Sequence, residues 1–373
     1  MAITRIGNIA DTIPNSSVQN VKMSNIVQSK NIIINGDMSI AQRSTSVASI
    51  TTSGYHTTDR WQTSMGTAGT WTQTQSTDVP TGQGFATSFK MDCTTANGSL
   101  SAGSSLAIQQ GIEGQNLQYL KKGTLSAESL TASFWVKSNK TGTYVAELYD
   151  GDNSRQISKS YTISSADTWE KKTLTYAGDT TGALGNDNGN SLSLNFWLVA
   201  GTNFSSGSLA TSWQSYAATD RAVGIVNLAD STANEWFITG LQLEAGTTAS
   251  EFEFLPVDVN LQRCQRYFHQ IQGNASATTA LGIGFSNNST QMFSSIFFPA
   301  TMRSIPSITG SSGISATDAN SYDVSASSVA VHLPSINSMN LQVTVSSGLA
   351  TLRVGYNQLS ASTSSYLALS SEL

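Results

Sequence analysis

From Asn31 onward, apolar residues recur at alternate positions in run after run. SFWVKS sets Phe134 and Val136 on one side and Trp135 on the other, LNFWLVA opposes Phe196 and Leu198 to Trp197, and GLQLEAG alternates Leu241 and Leu243 with Gln242 and Glu244. A period of two is that of a half-buried strand. NIIINGDMSIAQRS and YHTTDRW read the same way, and turn-forming strings such as NKTG, DGDNS and GNDNGN separate the runs. Many short strands with almost no helical period predict an all-β chain. About eight to eleven of them over residues 31–257 suit a double-sheet jelly-roll β-sandwich, with Trp61, Trp169 and Trp236 in its core.

The period changes after Pro256. Val257, Leu261, Cys264, Phe268 and Ile271 form one stripe at spacings of three and four, which predicts a short helical junction over 258–273. The stripe is too short for an independent coiled coil. It either packs against an adjacent β-domain or meets symmetry mates in a three-fold seam. Strand text returns in LGIGFS, QMFSSIFFPATM and NLQVTVSS, so residues 274–373 are expected to form a smaller C-terminal β-sandwich. Residues 1–30 carry scattered isoleucines among Asn and Ser, too little to bury a core alone. They read as a poorly ordered N-terminus or as an arm that orders against a partner.

Charge alters this picture. Only 12% of the 373 residues are charged and the net charge is −5, about half the usual ~25% charged share. No basic run marks a nucleic-acid partner, and no apolar run is long enough for membrane insertion or a signal peptide. Two cysteines, Cys93 and Cys264, sit at apolar pattern positions in separate predicted domains and read as free buried thiols, as expected for synthesis in a reducing cytoplasm.

Candidate chemistry is sparse. His56, His269 and His332 are scattered, so neither a zinc site nor a catalytic triad is indicated, and no catalytic residue is assigned. Glu147, Asp150 and Asp152 are the best local carboxylate cluster for glycoside hydrolysis, but acids in turns are usually just solvated. Asp150-Gly151-Asp152-Asn153-Ser154 begins like a calcium loop and then places Tyr161 where a bidentate Glu belongs. Asn186 to Gly189 is oxygen-rich and equally incomplete. No cofactor is called for and no metal ligand is assigned, although a structural calcium at these turns stays open. The aromatics offer more. If the Phe faces are core, Trp135 and Trp197 point outward, and Tyr149 shares a face with Val145 and Glu147. Flat rings among short polar groups make a platform for sugar rings, so Trp135, Tyr149 and Trp197 are the candidate glycan-binding residues. Packing under a loop or a neighbouring subunit is the commoner role for such rings.

The motifs NIIINGDM-x-I-x-QR, DRW, SFWVK with YVAELYD, TWEKKTLTY and GLQLEAG…FEFLP, followed by CQRYF and FFPATMRSIPSI, resemble in that order bacteriophage tail-fibre and related virion appendage proteins. In these a carbohydrate-binding-module-like jelly roll leads through a C-QRY segment into a C-terminal β-domain. The resemblance implies a virion-attachment arm in residues 1–30, contact there with tail or other virion proteins, homotrimer assembly, and recognition of host surface polysaccharide during adsorption without enzymatic cleavage. It implies a location in the virion after synthesis in the host bacterial cytoplasm. A capsid-decorating or neck fibre and a glycan-degrading tailspike enzyme are the alternatives.

Overall fold

The computed structural model describes residues 30–318 and 321–373; the expected attachment arm lies outside these apart from Lys30. Thirteen strands build the first unit: β1 (Ser46–Ile50), β2 (Gly54–Tyr55), β3 (Gln62–Met65), β4 (Thr70–Ser76), β5 (Ser88–Thr95), β6 (Ser105–Glu113), β7 (Leu130–Ser138), β8 (Gly142–Asp150), β9 (Arg155–Ile163), β10 (Glu170–Tyr176), β11 (Asn190–Ala200), β12 (Gln214–Ser215) and β13 (Glu235–Ala245). They form a six-stranded sheet in the order β1-β4-β5-β13-β7-β10 facing a seven-stranded one in the order β12-β9-β8-β11-β6-β3-β2.

Alternation places the core where the sequence pattern puts it. Phe134 and Trp236 of the first sheet meet Phe196 and Tyr161 of the second, with ring centroids 5.1 Å apart for Phe134 and Phe196 and 6.1 Å for Phe196 and Trp236. Trp61 is buried with them, as expected. Trp169 is not. It sits outside the six-stranded sheet, its indole N–H donating to Asp78 at 2.9 Å and its ring edge-on to Phe237. Both cysteines are free and buried.

Residues 31–44, expected as a strand, are irregular, and so is most of YHTTDRW. Their side chains take over the work of a ladder. Asn35, left-handed at φ 59° as Asn tolerates, donates to the carbonyls of Ile40 at 2.9 Å and Asp59 at 3.0 Å and accepts from the Ile40 amide. Trp61 Nε1 donates to the Asn35 carbonyl at 3.1 Å. Gly36 lies so close to the Leu241 carbonyl that a Cβ there would be 2.0 Å from the oxygen, which restricts the position to glycine.

Nine strands follow the sandwich: β14 (Phe268–Gln272), β15 (Thr279–Asn288), β16 (Gln291–Phe297), β17 (Ser307–Ser312), β18 (Ile314–Asp318), β19 (Val324–His332), β20 (Ser338–Val345), β21 (Val354–Leu359) and β22 (Tyr366–Ser370). The all-β class holds, and the C-terminal unit, expected as a smaller β-sandwich, has two sheets of its own. It is a closed barrel, β15-β16-β20-β19-β18-β21, with a three-stranded sheet, β14-β22-β17, beside it. Closure removes the free edges that six short, mostly uncharged strands would otherwise present to solvent.

The helical junction is shorter than its apolar stripe. The helix spans Val257–Gln265, and Phe268 and Ile271 lie on β14. FHQIQ pairs with β22 from Phe268↔Ser370 to Gln272↔Tyr366, which fixes it as a strand and puts Phe268 and Ile271, three apart, on opposite faces. A three-residue interval between apolar side chains therefore did not distinguish helix from strand here. Within the helix Val257 is 69% exposed and only Cys264 of the stripe is fully buried, so the packed face runs from Asn260 to Cys264 and leaves the first turn exposed.

Candidate functional site

The structure separates the three candidate glycan-binding residues. Trp135 lies outside the six-stranded sheet on β7, whereas Tyr149 and Trp197 lie outside the seven-stranded sheet on β8 and β11. They are on opposite faces of the sandwich and form no common platform. Trp197 is only 3% exposed. Loop residues cover it: Phe204 at 5.4 Å, with Leu209, Ala222 and Ile225 in the same apolar cluster. Its indole donates to Glu147 Oε2 at 2.9 Å. Tyr149 is half-buried, edge-on to Tyr216 at 5.6 Å.

Glu147 is equally committed. Besides Trp197, Arg221 Nε and Nη2 each donate to its carboxylate at 2.8 Å, and Asn195 Nδ2 adds a fourth donor at 3.2 Å. A buried carboxylate tied to this many donors is held in place, which suits packing better than catalysis. Asp150 belongs to a second buried network. Lys122 Nζ contacts Asp150 and lies 3.0 Å from Asp179, and it donates to the carbonyls of Thr181 and Gly182 at 3.1 and 2.9 Å. Arg155 completes the set with bonds of 2.6 and 3.0 Å to Asp179. Two carboxylates and two carbonyls thus surround an ammonium where the sequence suggested a calcium loop. Among the described residues no cluster of three His, Cys, Asp or Glu side chains could hold a metal ion. The turn at Asn186 to Gly189 also has a mechanical role, since Asn188 Nδ2 donates to the Arg303 carbonyl at 2.6 Å and Arg303 Nη1 donates back to the Asn188 carbonyl at 3.1 Å.

Motifs scattered along the chain converge on one joint between the sandwich and the C-terminal unit. From QRY, Arg266 grips buried Glu113 with two bonds of 2.7 Å, and the Tyr267 hydroxyl donates to the same carboxylate. Burial raises the Glu113 carboxyl, but these donors outweigh it and hold the group below its ordinary value. From DRW, Arg60 stacks on the Tyr267 ring at 3.5 Å, pairs with Glu372 and donates to the Gly111 carbonyl at 2.7 Å. From NGDM-x-I-x-QR, Asp37 and Ser39 accept from Asn260 of the helix at 3.1 Å, while Arg43 reaches Glu372 at 3.0 Å and Asp59 at 3.4 Å. Arg303 donates to the carbonyls of Ser371 and Glu372 at 2.6 and 2.8 Å. Cys264, Tyr267, Ile34 and Ile40, with Leu261 and Leu373 against them, fill the apolar centre. Stripe residues Leu261 and Cys264 therefore work at a joint between domains.

The joint shapes a trough of about 640 Å³ over the outward face of the three-stranded sheet. The period of two sends Ile271, Leu367 and Leu369 into the barrel-side core and leaves Gln270 and Gln272 facing out beside Ala368 and Tyr366, with Phe268 on the same side but buried beneath Arg43. At one end Arg43 lies 3.5 Å over the Phe268 ring and 5.3 Å from Tyr55. At the other, Tyr366 lies across Gly310, where a Cβ would stand 2.9 Å from the ring. Ala368 keeps the floor between the two ends low, while its partner Gly310 on β17 gives the Tyr366 ring room to lie flat. Thr309, Thr363 and Ser364 border it. Aromatic ends, a low floor and neutral donors and acceptors are the elements of a sugar-binding cleft. Phe268 was singled out from the sequence as a junction residue, and Tyr55, Gln270 and Tyr366 were not singled out. The alternation of Leu367 and Leu369 in YLALS was a usable signal, but it does not say which strand lies beside it.

No family model matches the sequence, and no curated protein matches it. Among solved structures, the enzymatically active domain of bacteriophage CBA120 tailspike protein 4 aligns over 58% of this chain at 16% identity and a TM-score of 0.31; the chain spans 21% of that domain's length. TmCBM61 in complex with β-1,4-galactotriose aligns over 58% of this chain and 99% of its own at 10% identity, with a TM-score of 0.30. A family 11 carbohydrate-binding module from Clostridium thermocellum, in complex with a mixed-linked tetrasaccharide, aligns over 55% and 98% at 11% identity and a TM-score of 0.26. Scores of this size establish no shared function, and the β-sandwich assignment stands on the strand pairing itself.

Proposed function

We propose that this chain is a receptor-binding virion appendage protein that recognises a host surface glycan through the trough at its interdomain joint. The observation that carries the reading is the trough's lining of Tyr55, Arg43 over Phe268, Tyr366 and the Gln270 and Gln272 amides on a rigid three-stranded sheet. The motif order described above supports the appendage setting. The commitment of Glu147 to Arg221 and of Asp150 to Lys122, two of the three carboxylates of the candidate cluster, supports recognition without cleavage.

In this reading the segment before Asn31 attaches the chain to the tail or another part of the particle, and three copies assemble. Linked copies raise avidity by on the order of a hundred- to ten-thousand-fold, so a shallow site suffices. A printed array of bacterial surface polysaccharides tests recognition: the intact protein gives a signal that Tyr366→Ala weakens about tenfold and Trp135→Ala leaves in place. The reverse pattern, or no signal from the intact protein, sinks the proposal. Light scattering tests assembly, with three times the chain mass expected and a monomer mass contradicting it.

A further inference from the structure

We infer that the trough takes a neutral, linear oligosaccharide lying along β14 and β22 and discriminates against acidic ones. This rests on the reading of the trough as a glycan site and adds the class of glycan. Length comes first. Phe268 and Gln272 stand four steps apart on β14, about 14 Å at the usual strand rise, with the Tyr55 ring near one end, the Tyr366 ring at the other and a low floor between. A single sugar ring leaves part of that length empty, whereas a short chain with one ring over Tyr366 and another near Tyr55 fills it.

Charge comes second. Of the residues lining the trough only Arg43 is charged. Its guanidinium is held by Glu372 at 3.0 Å and Asp59 at 3.4 Å, and Glu372 in turn pairs with Arg60. Two arginines and two carboxylates balance, so the trough has no surplus positive charge. A uronic acid or phosphorylated sugar reaching Arg43 would have to displace a carboxylate that is itself nearly buried, and removing one partner from such a set is costly. Hydroxyls face no such obstacle. Gln270 uses its amide nitrogen on Gln272 Oε1 at 2.7 Å, while its amide oxygen, the Tyr366 hydroxyl and the Thr309 hydroxyl bond to no described residue and are available to sugar hydroxyls.

The experiment is an array of acidic bacterial polysaccharides beside the carboxyl-reduced form of each, together with neutral polysaccharides, probed with the intact protein, Gln270→Ala and Tyr366→Ala. The expected result is binding to neutral members, stronger binding to a reduced form than to its acidic parent, and a loss of about tenfold in affinity for Tyr366→Ala and about three- to tenfold for Gln270→Ala. Binding confined to acidic members and abolished by reduction overturns the inference but leaves glycan recognition by the trough standing if Tyr366→Ala weakens it. No binding to any member overturns both.

Discussion

Arg266 holds Glu113 across 153 positions of sequence through two hydrogen bonds of 2.7 Å. The carboxylate is fully buried and the guanidinium partly exposed, so the pair draws the segment after the helix onto the end of β6. Removing one partner strands a buried charge, for which about 3–5 kcal/mol is typical. Arg266→Ala is expected to lower the stability of the joint by that order, and Glu113→Gln with Arg266→Met to recover much of it. Denaturant unfolding of the three proteins checks this, and additive losses in the double variant contradict it.

The Trp197 indole packs against Phe204 and bonds Glu147. Trp197→Ala is expected to cost about 3–5 kcal/mol, as truncating a buried aromatic does, while leaving glycan binding unchanged at a temperature where the variant is folded. Retained stability with lost binding would restore it as a sugar platform.

Lys122 fills a site of two carboxylates and two carbonyls. A chelator is therefore expected to leave the Tm of the protein unchanged, and Lys122→Met to lower stability by about 3–5 kcal/mol through the stranded acids. A drop in Tm on chelation alone shows that a metal ion contributes after all.

Burial raises the Asp59 carboxyl to about 6, against the lowering by Arg43 and by hydrogen bonds from Gln42. A group that binds its proton more tightly when folded adds stability that is complete below its unfolded value and is lost as pH rises through the folded one. Relative to Asp59→Asn, the protein is expected to gain stability between about pH 7 and about pH 5. Glu113 and Asp179 act in the opposite sense. Burial raises both, but their arginine and other donors prevail and hold them low, so their contribution is lost at more acid pH and cancels in the comparison. Thermal melts of both proteins across this range provide the check, and a constant difference contradicts it.

Much of the sandwich was legible because alternation reports directly which side chains share a face. Phe134, Phe196, Leu241 and Leu243 point inward as the pattern says. Alternation also says that Trp197 points away from that core, but not that Phe204, Leu209 and Ile225 come back over it, since cover by a loop leaves no periodic trace. Phe268 and Ile271 fit a helical stripe by spacing, but the pairing of Phe268 with Ser370 makes the segment a strand with the two on opposite faces. The joint was present in the sequence as separate fragments. Arg60 and Glu372, 312 positions apart, carry no local sign that they meet. The trough depends on that meeting and on the pairing of β14 with β22, so its lining was the least legible feature.

The most direct measurement is a crystal structure of the protein with an oligosaccharide from a polysaccharide that it binds. The account predicts sugar density along β14 and β22, with one ring on Tyr366 and hydroxyls at Gln270. Density on the outer faces at Trp135 or Tyr149, with the trough empty, would contradict it.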